Sequence, residues 1–102
     1  MMANIPEEKI TEVRERANIV EVISDFVSLK KSGKNYLGLC PFHSERTPSF
    51  TVNEEKKIFH CFGCGAGGNI FNFLMQARHL NFPEAVKELA NRYGITLPKR
   101  EL

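Results

Sequence analysis

CPFH at residues 40–43 and CFGC at residues 61–64 are the two segments that decide how this chain folds. Each segment places two metal-binding side chains on either side of a two-residue gap, so Cys40 pairs with His43 and Cys61 pairs with Cys64. Such a gap lets a tight turn direct both side chains at one ion, and zinc prefers four such ligands in a tetrahedron. The seventeen residues between the segments suit one β-hairpin, which would bring the two turns together. We therefore predict one Zn²⁺ held by Cys40, His43, Cys61 and Cys64.

The predicted site is structural, because four protein ligands leave no coordination position for water or a substrate. The chain has three cysteines, and residues 1–8 contain no apolar secretion signal, so a disulfide framework is not expected. One alternative is three buried apolar cysteines with a histidine at the surface. The other is a redox pair formed by Cys61 and Cys64, which would give Cys40 and His43 no role and lacks the βαβ context of a thioredoxin-like motif.

Outward from these segments, the hydrophobic pattern changes from helical to strand-like and back. Apolar residues recur at helical spacing over residues 10–26 and again over residues 70–93, and they alternate with polar residues in between. Turn sequences at 32–35 and 53–56 divide the middle part into antiparallel hairpins. Asn18 is expected to cap the second helix and Gly94 to end the last one. The order of elements predicts an α+β domain around a central antiparallel sheet.

The remaining histidines and the glycines near the second turn have separate expected roles. Strand alternation places His60 on the sheet face opposite Cys61, so His60 is not expected to bind the metal. His79 lies at a helix end and is expected to be solvated or to interact with the helix dipole, without binding the metal. Gly63 and Gly65 are expected to provide the backbone torsion angles that the second turn needs.

Composition limits the other classes of function. The 102 residues suit one domain, and a net charge of +2 permits a nucleic-acid partner without requiring one. No apolar run approaches the length of about 18 residues needed to span a membrane, so no membrane partner is expected. The chain has no phosphate-binding Walker loop and no paired carboxylates placed for two-metal chemistry. Nothing in the sequence therefore predicts catalysis by this chain alone.

The two metal-binding segments and their surroundings resemble the N-terminal zinc-binding domain of bacterial replicative DNA primases. The resemblance rests on CPFH at 40–43, ERTPSF at 45–50, HCFGCG at 60–65 and the glycines at 67–68, and it extends over nearly the whole chain. One departure is Asn69, at a position where that family often carries aspartate. Asparagine is also a good helix N-cap, so the departure does not weaken the resemblance.

The resemblance implies a zinc ribbon with a five-stranded antiparallel sheet, flanked by N- and C-terminal helices. Residues 1–97 would form the zinc-binding domain, and residues 98–102 would begin a linker to a catalytic core that this chain lacks. The parent enzyme would be a DNA-directed RNA polymerase that makes RNA primers on single-stranded DNA. The zinc domain would bind the template and assist initiation without being an enzyme itself. Its expected partners are template DNA, the catalytic core in cis and a replicative helicase through absent regions, all in the bacterial cytoplasm at the replication fork.

Basic and aromatic side chains interleave around the predicted sheet, as they do on surfaces that bind single-stranded nucleic acid. The candidate DNA-binding residues are Lys30, Lys34, Tyr36, Arg46, Lys56, Lys57, His60 and Phe62. Strand alternation predicts that Lys34 and Tyr36 face outward, and that Leu37 and Leu39 face the core. Three phenylalanines are also expected in the core: Phe50, Phe71 and Phe73. An alternative function is a protein-interaction zinc ribbon that docks on a polymerase or a helicase.

Overall fold

Two helices precede a short central sheet and two more follow it. The computed structural model describes residues 5–98. The elements are α1 (Glu7–Arg16), α2 (Ile19–Ser24), β1 (Lys30–Ser32), β2 (Asn35–Gly38), β3 (Phe50–Asn53), β4 (Ile58–Cys61), β5 (Gly67–Gly68), α3 (Ile70–Arg78) and α4 (Phe82–Arg92). This arrangement confirms the predicted α+β class and the five-stranded sheet.

The sheet is antiparallel, and each strand pairs only with its neighbours in the chain, in the order β1-β2-β3-β4-β5. We call one row of opposed residues the outer row: Lys30, Leu37, Thr51, His60 and Gly67. We call the adjacent row the core row: Lys31, Tyr36, Val52, Phe59 and Gly68. Opposed residues share a face and successive residues alternate, so the two rows lie on opposite faces of the sheet.

The predicted orientation of β2 is wrong. Tyr36 is opposite Val52, which is fully buried, and it packs against the core, whereas Leu39 is 47% exposed. The core-facing position near the end of β2 is Gly38, where an added Cβ would meet the Ser28 carbonyl oxygen at 2.7 Å. A neighbouring stretch of chain thus occupies the space that a leucine would need. Alternation along β2 predicted that Leu37 and Leu39 face the core, but the register with β3 determines which residues of β2 do so.

An aromatic cluster forms the centre of the core. The rings of Phe50 and Phe59 lie 5.5 Å apart, and that of Phe73 lies 5.5 Å from Phe59. The predicted burial of Phe50, Phe71 and Phe73 is confirmed, because none is more than 2% exposed. Burying each such ring contributes about 1.5–3 kcal/mol. Phe42, from the first metal-binding segment, lies 5.6 Å from Phe73 and so joins that segment to α3.

Asparagine side chains begin helices α2, α3 and α4. Asn18 accepts a hydrogen bond from the Glu21 amide, as predicted, and Asn69 and Asn81 each form a reciprocal capping box. Such caps satisfy amide groups that the first helical turn leaves unpaired. Gly94, with a φ of 69°, follows the end of α4 as expected.

The predicted linker and the predicted absence of a membrane span concern the ends and the helices of the chain. Of the predicted linker at 98–102, residues 99–102 lie outside the described part of the chain, so the boundary stays a prediction. The helices within residues 5–98 lack the length and apolar character that spanning a membrane requires.

Candidate metal centre and nucleic-acid interface

The register of the sheet places both metal-binding turns at one end of the molecule. Gly38 is opposite Phe50, and Phe50 is opposite Cys61. Cys40 follows the end of β2 by two residues, and Cys61 is the last residue of β4. The ends of β2 and β4 therefore lie on either side of the start of β3. The hairpin of β3 and β4 occupies most of the spacer between the two turns and brings them together.

The four predicted ligands converge on one point. The ligand atoms of Cys40, His43, Cys61 and Cys64 all lie within 4.8 Å of one another. The Sγ atoms of Cys40 and Cys64 are 3.8 Å apart. Zinc bonded to sulfur at about 2.3 Å in a tetrahedron requires a separation between sulfurs of about 3.8 Å. The four residues are thus positioned to bind one metal ion.

The environment of His43 provides an independent test of this site. Its Nδ1 atom is buried and has no hydrogen-bond partner, whereas Nε2 lies 3.1 Å from Oε1 of Glu45. Buried polar atoms in proteins are nearly always paired, and a metal ion at Nδ1 would satisfy this one. Three sulfurs and this nitrogen make a Cys₃His donor set, which is typical of structural zinc.

Comparison with known proteins agrees with this donor set. The model of the CHC2 zinc finger family matches residues 5–102. The chain belongs to the CHC2 zinc finger family. This membership, together with the converging ligands, confirms zinc as the cofactor and leaves no support for a redox pair of Cys61 and Cys64.

Several proteins named DNA primase are similar to this CHC2 chain. That of Enterococcus faecalis is 62% identical over 91 residues, which cover 89% of this chain and 14% of the relative. That of Halalkalibacterium halodurans is 54% identical over 100 residues, which cover 98% of this chain and 17% of the relative.

A solved structure is similar as well. The crystal structure of the zinc-binding and RNA polymerase domains of the Aquifex aeolicus primase matches with a TM-score of 0.83 and 44% identity. The match covers 95% of this chain and 23% of that one. These similarities confirm the resemblance to the primase zinc-binding domain. The chain spans about a sixth of the length of such relatives.

The two buried thiols of the CHC2 site differ in acidity. Burial raises the pKa of the Cys40 thiol to about 12, although its sulfur accepts a hydrogen bond from the Phe42 amide. Burial also raises the pKa of Cys61, but the contact with the Ser49 hydroxyl and hydrogen bonds from the backbone amides of Cys64 and Gly63 outweigh it and lower the pKa to about 7. Bound zinc replaces the thiol protons, and these amides then partly offset the negative charge of the sulfurs.

Glu45 links the two metal-binding turns, and sequence reasoning did not identify this role. Its Oε2 atom accepts hydrogen bonds from the backbone amides of Cys40, at 2.9 Å, and Ser49, at 3.1 Å. Its Oε1 atom accepts one from the Ser49 hydroxyl, whose oxygen also lies 3.4 Å from Sγ of Cys61. Hydrogen bonds from the Ser49 hydroxyl and the Cys40 amide lower the pKa of Glu45. The sequence signal for this role was the ERTPSF segment at 45–50, which contains both Glu45 and Ser49 but was interpreted only as part of the family resemblance.

The two glycines of the second turn act by different means. Gly65 has a φ of 83°, so its conformational freedom is needed as predicted. The backbone of Gly63 is not in the left-handed region, and the predicted reason for this glycine is wrong. A Cβ at Gly63 would instead lie 2.8 Å from Oγ of Ser49 and 2.9 Å from Nε2 of His43. The absence of a side chain therefore lets the turn approach these groups.

Three of the candidate DNA-binding residues lie on the same face of the sheet, opposite the core. Lys30 and His60 both belong to the outer row. Lys30 is on β1 and His60 is on β4, so three interstrand spacings of about 4.8 Å each separate them. Phe62 is 73% exposed, and its ring lies 4.5 Å from that of His60. His60 therefore points away from Cys61, as predicted.

The other five candidates lie elsewhere. Lys34 occupies the β1–β2 turn, and Lys56 and Lys57 occupy the β3–β4 turn, both at the end of the sheet away from the metal site. Arg46 is exposed in the loop at the metal end. Tyr36 belongs to the core row, so the structure does not bring it to the outer face.

Proposed function

We propose that this chain is the template-binding domain of a bacterial DNA primase, and that the outer face of its sheet receives single-stranded DNA. The observation that carries the proposal is the position of Lys30, His60 and Phe62 on one face, whose side chains are all exposed or half-buried. Single-stranded nucleic acid is bound by aromatic rings that stack on bases, combined with positive charge along the backbone.

The charge of the sheet also favours this ligand. The five strands contain no acidic residue, and one of their two lysines, Lys30, lies on the outer face. Arg46 at the metal end and Lys34 at the other end would extend the positive charge along the DNA backbone, whereas Glu54 and Glu55 balance Lys56 and Lys57 in the β3–β4 turn. Tyr36 lies on the core face, so we propose that it supports the sheet without contacting DNA.

The activity of the whole protein belongs to this proposal as well. The solved Aquifex relative combines zinc-binding and RNA polymerase domains. By analogy, this domain would present template to a catalytic core in cis, which would synthesise the RNA primer. A replicative helicase would bind through regions outside this chain. The site of action would be the cytoplasm, at the replication fork.

Replacing outer-face residues should weaken DNA binding in two different ways. Phe62→Ala should weaken binding to a single-stranded oligonucleotide by about 1–3 kcal/mol, because one base loses its stacking partner, without changing the salt dependence. Lys30→Ala should make the slope of log affinity against log salt less negative by about 0.7, because one phosphate contact is lost. Fluorescence anisotropy over a salt series measures both effects.

Lys87→Ala is the matched control, because Lys87 is exposed on α4. It should change neither the affinity nor the slope by a comparable amount. Zinc content and melting temperature should match the parent chain in all three variants. Equal behaviour of Lys30→Ala, Phe62→Ala and Lys87→Ala would refute the proposed surface.

A second candidate is a surface that docks on a replication protein. It is favoured by the exposed apolar side chains Leu39 and Ile58, which are 47% and 43% exposed. Leu39→Ser and Ile58→Ser should then abolish binding to a polymerase or helicase partner and leave oligonucleotide binding unchanged. Loss of oligonucleotide binding in these variants, with the fold intact, would favour the nucleic-acid surface.

A further inference from the structure

We propose that Glu45 is a positioning residue for the zinc centre. Its carboxylate holds His43 in the tautomer that presents the Nδ1 lone pair to the ion. The side chain of Glu45 is only 11% exposed, and its Oε1 atom lies 3.1 Å from Nε2 of His43. A neutral imidazole carries one proton, on one of its two nitrogens. A carboxylate facing Nε2 favours the proton there, which leaves Nδ1 free to bind metal.

The other partners of Glu45 show why this position needs a carboxylate. The amides of Cys40 and Ser49 both donate to Oε2, and the Ser49 hydroxyl donates to Oε1. These are three donors, and Nε2 of His43 lies 3.1 Å from Oε1 as a further neighbour that can carry a proton. A carboxylate has two accepting oxygens and no proton of its own, so it satisfies them all.

The same contacts join the two metal-binding turns. Glu45 reaches the first turn through Cys40 and His43, and it reaches the second through Ser49, whose Oγ atom is 3.4 Å from Sγ of Cys61. An added Cβ at Gly63 would lie 3.1 Å from Oε1 of Glu45, so the second turn also packs on the carboxylate. Glu45 therefore fixes the position of ligands from both turns.

Glutamine is the informative replacement, because it has nearly the same shape but only one accepting oxygen. In Glu45→Gln, the NH₂ group faces either the two backbone amides or Nε2 of His43. In the second arrangement two N–H groups face each other. This repulsion is relieved when the imidazole proton moves from Nε2 to Nδ1, and Nδ1 then cannot bind zinc. The first arrangement loses two hydrogen bonds that hold the loop between the turns.

The test measures zinc affinity by competition with a chelator. Glu45→Gln should bind zinc about 10–100-fold more weakly, the range typical of lost hydrogen bonds to metal ligands. Glu55→Gln is the matched control, because it removes the same charge from an exposed turn at the other end of the sheet. Its zinc affinity should stay within about twofold of the parent chain. Equal affinities of Glu45→Gln and Glu55→Gln would overturn the proposal.

A second measurement does not depend on the folding of any variant. Long-range proton–nitrogen NMR of the zinc-loaded parent chain should show zinc on Nδ1 of His43 and the proton on Nε2. Zinc on Nε2 would overturn the proposal, whatever happens to Glu45→Gln.

Ser49→Ala separates positioning from general loosening of the loop, because it keeps the contact between Glu45 and His43. The proton in that variant should remain on Nε2, and a change of tautomer there would also contradict the proposal.

Discussion

Single residues at the metal centre divide into those that a local pattern identifies and those that it does not. The four ligands were predictable, because their two-residue gaps lie within short segments. The roles of Glu45 and Gly63 depend on contacts between the two turns, which no local pattern encodes. The face of Tyr36 was predicted wrongly for a related reason, since the register with β3 decides it.

A Cβ at position 63 should weaken metal binding. Gly63→Ala places a methyl carbon 2.8 Å from Oγ of Ser49 and 2.9 Å from Nε2 of His43, which is closer than van der Waals contact allows, so these groups have to move. We expect at least a tenfold loss of zinc affinity, measured by chelator competition, as for other lost contacts around metal ligands.

Gly33→Ala serves as the comparison for this prediction. Gly33 has a φ of 63° and open space around its Cβ position, far from the metal site. This variant should lose about 1–2 kcal/mol of stability through backbone strain and keep its zinc affinity. Unchanged zinc affinity in Gly63→Ala would show that the second turn adjusts freely.

At the level of elements, α2 and α4 depend on each other. With six residues, α2 is too short to be stable alone. The Tyr93 hydroxyl, at the end of α4, accepts a hydrogen bond from the Asn18 amide at 3.2 Å and donates one to the Glu21 carboxylate. Arg92 pairs with Asp25 at 2.6 Å. Helical spacing predicted both helices but not these contacts, which join residues far apart in the chain.

The Tyr93 phenol should ionise at a higher pH than an ordinary tyrosine. Burial and the hydrogen bond to Glu21 both raise its pKa. Because the pKa in the folded chain is raised, the stabilisation is present below the unfolded value of about 10 and is lost as the pH rises through the folded value. Absorbance titration of Tyr36→Phe, which leaves Tyr93 as the sole tyrosine, measures this pKa. Ionisation at the ordinary value would contradict the prediction.

The sheet itself was only partly predictable as an element. Alternation and turn residues identified the central hairpins, and β3 and β4 lie where the pattern placed them. The fifth strand consists of Gly67 and Gly68, which have no side chains to form a pattern. Its presence was expected only from the resemblance to the primase domain. It forms because the backbone of Phe59 and His60 offers an edge for pairing.

For the whole molecule, the metal site and the hydrophobic core form one structural unit. Cys40 and Cys61 belong to the same buried cluster as Phe50 and Phe59. Phe42, between two ligands, packs against Phe73 of α3. Loss of the metal therefore removes support from the core as well as from the turns. The amphipathic pattern predicted a core of this composition, but not its continuity with the ligands.

Removal of zinc should unfold the domain as a whole. Structural zinc contributes about 10 kcal/mol or more in small domains, which is comparable to the total stability of a domain of this size. We expect circular dichroism to show loss of the cooperative thermal transition after chelation and its return when zinc is added back. A zinc-free chain that melts at the same temperature as the zinc-loaded chain would contradict this expectation.

The consecutive order of the strands has a consequence for how the chain acquires its structure. Every strand pairs with the one made just before or after it, and all four ligands lie between residues 40 and 64. Pairings between segments close in sequence require little loop closure, and proteins rich in them fold rapidly. We therefore expect the sheet and its metal site to form rapidly once residues 30–68 are free to fold, because none of the described strands pairs with a distant segment.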